Sequence, residues 1–317
     1  MKKTDPWKLA VILLSLVLVF IAVRKFRSPG REGNLPVKLA EIDTAEVTGI
    51  IITPAKSRME PVRLTKSNGW KLMRGEQTLR LEQGAGVNIL RVLTSLKPER
   101  MVTKRREKWN EFNVGDSTGT RVQVMSGTSV IADLVFGRSG FSQTPQQSYG
   151  GAPFTYVRLS DEDEVYTIIG FLDAQFNRGL DDWRDKSFTR FKKDSVTRII
   201  FRYPADSSFV IEKSGGKWTL AGAPADSIEV RSFLSGLEYK NASAFAPVAP
   251  AGTPPAGIVV EQSGKSLVTI DAWPTEGSWT VRASEQPETF FSFDAVARKD
   301  VFVGRKRFVG KPWKVGS

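Results

Sequence analysis

The chain has 317 residues, 40% of them hydrophobic and 25% charged, the balance of an ordinary folded body with length for about two domains. It contains neither cysteine nor histidine, which excludes disulfides, thiolate or imidazole metal sites, a cysteine nucleophile and a Ser-His-Asp triad. The formal charge of +12 sits at the ends: residues 1–31 and 298–317 each hold seven Lys/Arg against one Asp, and the residues between are neutral, a placement that suits an anionic membrane surface better than a nucleic acid.

Residues 9–23 read LAVILLSLVLVFIAV, with Ser15 the single polar position. A spanning helix uses about 20 apolar residues. Here the flanks extend the run, because Trp7 suits the interface and Lys8, Arg24 and Lys25 can snorkel to headgroups. A cleaved signal peptide is the rival reading. No small-x-small site follows the apolar core, where Ile21-Ala22-Val23-Arg24 stands, and there is no lipobox cysteine. The segment is therefore expected to be an uncleaved anchor. Basic residues flank it on both sides, and a short tail before a long body favours a body outside the cytoplasm. Residues 28–36 (SPGREGNLP) read as a polar tether.

The remaining sequence runs through the same motifs twice. Residues 47–53 (VTGIIIT) read as a strand, followed by Val62-Arg63-Leu64, a turn at Lys66-Ser67-Asn68-Gly69 and a returning Trp70-Lys71-Leu72. Residues 196–203 (VTRIIFRY), Phe209-Val210-Ile211, Lys213-Ser214-Gly215-Gly216 and Lys217-Trp218-Thr219-Leu220 repeat that order. A helix follows each time, marked by Ile89, Leu90, Leu93 and Leu96 in one copy and Val230, Phe233, Leu234 and Leu237 in the other, with Asp226 or Ser227 as N-cap. Two further hairpins complete each copy: 121–125 with 130–136 and 155–159 with 165–169, then 258–261 with 267–272 and 279–283 with 289–293. Residues 244–257 and 137–153 read as long surface loops.

The predicted fold class is α+β: an N-terminal transmembrane helix, then two tandem modules of antiparallel β-hairpins, each with a packed helix. The predicted divisions are 1–27 (cytoplasmic tail and anchor), 28–43 (linker), 44–192 (module one) and 193–317 (module two with its basic tail).

Together, the Gly-Trp-Lys-Leu hairpin, the leucine helix after it, Tyr156-Val157-Arg158 before Val165-Tyr166, and Trp183-Arg184-Asp185-Lys186-Ser187-Phe188 resemble a bacterial family of membrane-anchored proteins built on a domain of unknown function. Its members are often encoded beside gliding-motility-type ABC transporter genes. The resemblance spans most of residues 36–317 and rests on structural motifs. Family members commonly place an Asp after the Trp-x-Leu strand; Asp226 fills that place in the second copy, while Gln83 and Gly84 stand there in the first. The resemblance implies an envelope protein working with a transporter, and it brings no catalytic residues.

The residues themselves offer little chemistry. Gly115-Asp116-Ser117-Thr118-Gly119 matches a nucleophile elbow in letters but lacks a histidine base. Ser214-Gly215-Gly216-Lys217 matches S-x-x-K but falls in a hairpin turn. The acidic run 161–164 lacks calcium-loop spacing. No catalytic, cofactor-binding or metal-binding residue is expected, no nucleotide motif occurs, and nucleic acid is not an expected partner. Trp70 and Trp218 recur at one place in the hairpin and read as core.

The candidates for contact with a partner or with lipid are basic: Arg100, Lys104, Arg105, Arg106 and Lys108, and near the C-terminus Arg305, Lys306 and Arg307. For both groups a simply solvated surface is the competing reading. The expectation is a non-enzymatic, single-pass protein of the bacterial inner membrane, an accessory or scaffolding component beside ABC transporter subunits. The alternative is an anchored binding module for an envelope lipid or polysaccharide.

Overall fold

The fold is given by a computed structural model that describes residues 31–32, 35–55, 59–142, 151–275 and 277–310. The expected membrane helix over 9–23 lies outside the described residues, as do Lys311 and Lys314. Among the described residues no helix is long and apolar enough to cross a membrane. The body is mixed α+β and forms two compact units, Met1–Arg184 and Asp185–Ser317.

Beside a short pair, Arg31–Glu32 with Leu35–Pro36, the described residues of unit one form a large sheet of nine strands: β1 (Gly49–Thr53), β2 (Val62–Ser67), β3 (Gly69–Arg74), β4 (Gln77–Leu79), β5 (Arg100–Thr103), β6 (Thr120–Ser126), β7 (Ser129–Phe141), β8 (Pro153–Leu159) and β9 (Val165–Ile169). They form one sheet in the order β4-β3-β2-β1-β6-β7-β8-β9-β5, antiparallel at every ladder. Period-two patterning fixes the faces. Val62 and Leu64 are buried while Arg63 and Thr65 are exposed, and Ile50 and Ile52 oppose them across the ladder. The α1 helix (Ala85–Thr94) lays Gly86, Ile89, Leu90 and Leu93 onto that face, and the short α2 (Leu172–Phe176) adds Leu172 and Phe176 to the same core.

Unit two repeats the plan. Its large sheet comprises β11 (Arg198–Arg202), β12 (Phe209–Ser214), β13 (Lys217–Leu220), β14 (Ala223–Pro224), β16 (Ala244–Phe245), β17 (Ala256–Gln262), β18 (Lys265–Thr275), β19 (Ser278–Ala283) and β20 (Phe291–Phe293). The order is β14-β13-β12-β11-β17-β18-β19-β20-β16, the same path as in unit one. The register repeats as well, since Ile199 faces Ile211 and Phe201 faces Phe209. Helix α3 (Ser227–Leu237) buries Val230, Phe233, Leu234 and Leu237 at the spacing of Gly86, Ile89, Leu90 and Leu93. Trp218 is buried in this core, whereas Trp70 is half-buried over Gly86.

Three features depart from the sequence reading. The units divide at Arg184/Asp185 rather than at 192/193. The cause is β10 (Ser187–Arg190), which pairs with β15 (Tyr239–Asn241) and sends Phe188 and Phe191 into the core of unit two. Residues 137–141 are not loop but the end of the long strand β7, and Pro153 opens β8. Residues 244–245 and 256–257 likewise belong to strands, leaving the irregular part of that segment between them.

Candidate functional site

The face of the unit-one sheet turned away from α1 carries the most elaborate chemistry in the protein. Tyr156 and Arg158 on β8 and Val165 on β9 point there, and all three are buried. They are covered by a 3-10 helix (Arg106–Phe112) and the loop after it, which bring down Trp109, Phe112 and Val114. The cover lies close to the sheet because Gly137 has no side chain; a Cβ there would overlap the Phe112 carbonyl oxygen.

Arg158 is fully enclosed by this cover. Its Nε donates to the Val114 carbonyl at 2.7 Å, Nη1 to the carbonyls of Leu159 and Ser160 at 3.0 Å each, and Nη2 to Asp116 Oδ1 at 2.5 Å. The guanidinium lies 3.7 Å from the centre of the Trp109 ring. Burial draws Arg158 below its ordinary pKa and Asp116 pushes it back up; an arginine so placed stays charged. Asp116 and its neighbours form the Gly/Ser loop before β6, where Thr118 Oγ1 accepts from the Gly115 N–H.

The basic run is neutralised from within. The Trp109 indole donates to the Asp163 carbonyl at 3.1 Å, docking the 3-10 helix on the loop between β8 and β9. Arg106 pairs with Asp163 at 3.3 Å and lies over Trp109, Lys104 pairs with Glu164 at 3.4 Å, and Lys108 lies 3.9 Å from Glu111. Arg100 and Arg105 have no ion pair among the described residues. In unit two Arg307 pairs with Glu229 at 3.1 Å, while Arg305 and Lys306 are exposed beside the buried Phe308. Arg305 and Lys306 likewise have no ion pair among the described residues.

Beyond Phe112 the cover ends. A cleft of about 530 Å³, within the range of ligand sites, opens there between Glu99, Arg100, Phe141, Phe154, Thr167 and Ile169. Phe141 is 60% exposed, Ile169 62% and the adjoining Phe171 44%, and the two phenylalanine rings meet edge to face at 5.1 Å. Three large apolar side chains exposed together form a patch of the kind that marks an interaction site. On the matching strands of unit two, β18, β19 and β20, no large apolar side chain is exposed. The opening is therefore a property of unit one and not a requirement of the shared fold.

A shallower groove is lined by Glu41, Asp133, Asp161 and Glu162 beside Arg121. Asp133 is already committed there, accepting from Arg121 Nε at 2.8 Å, Arg121 Nη2 at 2.5 Å and Gln123 at 3.0 Å. Among the described residues no three acidic side chains converge in a way that could hold a metal ion.

Sequence reasoning located the basic run but missed the acidic loop that occupies it. It also missed the Arg158 clamp and the cleft. An arginine inside the apolar strand TYVRL was the available sign of the clamp. The cleft had none, since β5 reaches it only by pairing with β9, after three intervening strands.

Fold and surface together define a duplicated antiparallel α+β protein in which one copy has an open, aromatic sheet end. The chain belongs to the DUF4340 family, a domain of unknown function, whose model matches residues 70–257, more than half its length. The match begins in β3 and ends in β17, so it takes in parts of both units. No curated protein and no solved structure matches the chain.

Proposed function

We propose that this protein is a non-enzymatic, single-pass component of the bacterial inner membrane whose body, outside the cytoplasm, braces an ABC-transporter-type complex. The observation that carries a binding role is the open end of the unit-one sheet, where Phe141, Ile169 and Phe171 are exposed while the matching strands of unit two expose no large apolar side chain. Anchoring is supported by the charge-free apolar run 9–23 and its Trp7, Lys8, Arg24 and Lys25 flanks. The transporter as partner follows from the resemblance of the sequence motifs to anchored proteins encoded beside such genes, an argument by association.

The test is purification of the tagged full chain from its native membrane in mild detergent after in-cell crosslinking, with a control that retains the anchor and lacks residues 44–317. Transporter subunits recovered with the full chain and absent from the control support the bracing role. Recovery of the protein alone, or with a bound lipid or glycan, overturns it in favour of an anchored ligand-binding module.

A further inference from the structure

We infer that the free edge of β5 and the adjoining cleft form a strand-addition site for an extended, apolar and acidic segment of a partner polypeptide. This inference rests on the partner-binding role proposed above and names the surface that would carry it.

The backbone argument comes first. Strand β5 joins the sheet through β9 alone, with Arg100 opposite Thr167, Met101 opposite Tyr166 and Thr103 opposite Val165. No described strand pairs with its second edge. A strand edge of this kind presents unmet N–H and C=O groups that an extended chain can satisfy. The side chains add a second argument. Met101 turns into the core, while Arg100 and Val102 turn to the outer face, where the aromatic cleft lies. A strand laid along β5 therefore sets every other side chain on the outer face beside Arg100 and Val102, at the border of the cleft.

Charge narrows the partner. Arg100 and Arg105 stand at the two ends of β5 without an ion pair among the described residues. The nearby carboxylates Asp163 and Glu164 are already engaged by Arg106 and Lys104. Glu99 is the one carboxylate lining the cleft, so the partner's acidic residue belongs toward Arg105. Basic residues on an edge also repel a second copy of the same edge, which selects an acidic partner over self-association. Unit two offers no equivalent: its edge strand β16 has two residues, and Phe245 is stacked on Phe291.

The experiment uses the full chain in its native membrane with a photo-crosslinking phenylalanine derivative at Phe141 or at Ile169, followed by mapping of the crosslinked peptide. The expected product is one segment of another polypeptide, with alternating apolar residues and at least one Asp or Glu. A synthetic peptide of that segment should then bind the purified protein. Arg105→Glu should weaken that binding by about tenfold, and reversing the peptide's charge should restore it. Crosslinks confined to the chain itself, to a second copy or to lipid overturn the inference. So does unchanged crosslinking at Phe141 in the variant Ile169→Asp. If transporter subunits still copurify while neither position crosslinks to them, the strand-addition site is wrong and the bracing role stands.

Discussion

Arg158 shows how much of a local structure can hang on one side chain. Its guanidinium meets four oxygen acceptors and the Trp109 ring at once, and three of the acceptors are backbone carbonyls. Replacing it by methionine takes a donor from each of those carbonyls, of which only that of Leu159 keeps a turn bond among the described residues, from the Glu162 N–H. Arg158→Met should therefore lower stability by about 3 kcal/mol in urea unfolding. Arg158→Lys should also destabilise, because an ammonium can neither lie flat on Trp109 nor reach the acceptors as a fork. A second single-residue test concerns Gly86. In a helix, alanine normally gains up to about 1 kcal/mol over glycine. Here the added methyl would overlap the Trp70 ring, so packing decides the sign. Gly86→Ala should lower the urea midpoint, with a loss of about 1–3 kcal/mol; a gain would mean that Trp70 moves aside freely.

At the scale of elements, the two central helices occupy the same place and begin differently. Asp226 caps α3 by accepting from the N–H groups of Ile228 and Glu229, whereas α1 begins at Gly84 with no side-chain cap. Asp226→Ala should cost unit two about 1 kcal/mol in thermal or denaturant unfolding. Gly84→Asp should bring no matching gain, because Gly84 sits at φ +78° and a side chain there is strained. Elements that carry their own period were legible in the sequence. The strands around Ile50, Val62 and Trp70, their counterparts near Ile199 and Trp218, and both helices fall where alternation or 3.6-residue spacing put them. The short edge strands β5 and β16 were not legible, because RMVT and AF show no pattern and become strands only through partners far along the chain. Gly137 and Gly140 suggested a loop, yet they lie within β7, where one admits the Phe112 backbone and the other the Phe154 ring. The basic run was visible, but its neutralisation depended on a loop 54 residues away in sequence from Trp109.

At the scale of the whole molecule, each unit has its own hydrophobic core, and in unit two that core runs from Phe188 to Phe308 without a break between helix and sheet. A fragment of residues 185–310 should therefore unfold cooperatively by itself, with fluorescence and circular dichroism transitions that coincide. Transitions that separate would show that unit two needs the preceding chain. The shared strand order also governs when each sheet can close. In both units a short strand between the helix and the later hairpins skips over those hairpins and takes the far edge: β5 lies beside β9, and β16 beside β20. During synthesis β5 emerges before β6, β7, β8 and β9, yet its ladder does not exist until β9 is laid down. Its pairing closes a long loop, and such contacts form slowly. In pulsed hydrogen exchange during refolding, the β5 amides bonded to β9 should gain protection after those of the β1–β3 meander. Until then the chain carries an exposed, unsatisfied strand, so the interval before the sheet closes is when a nascent molecule is most open to a chaperone or to a wrong neighbour.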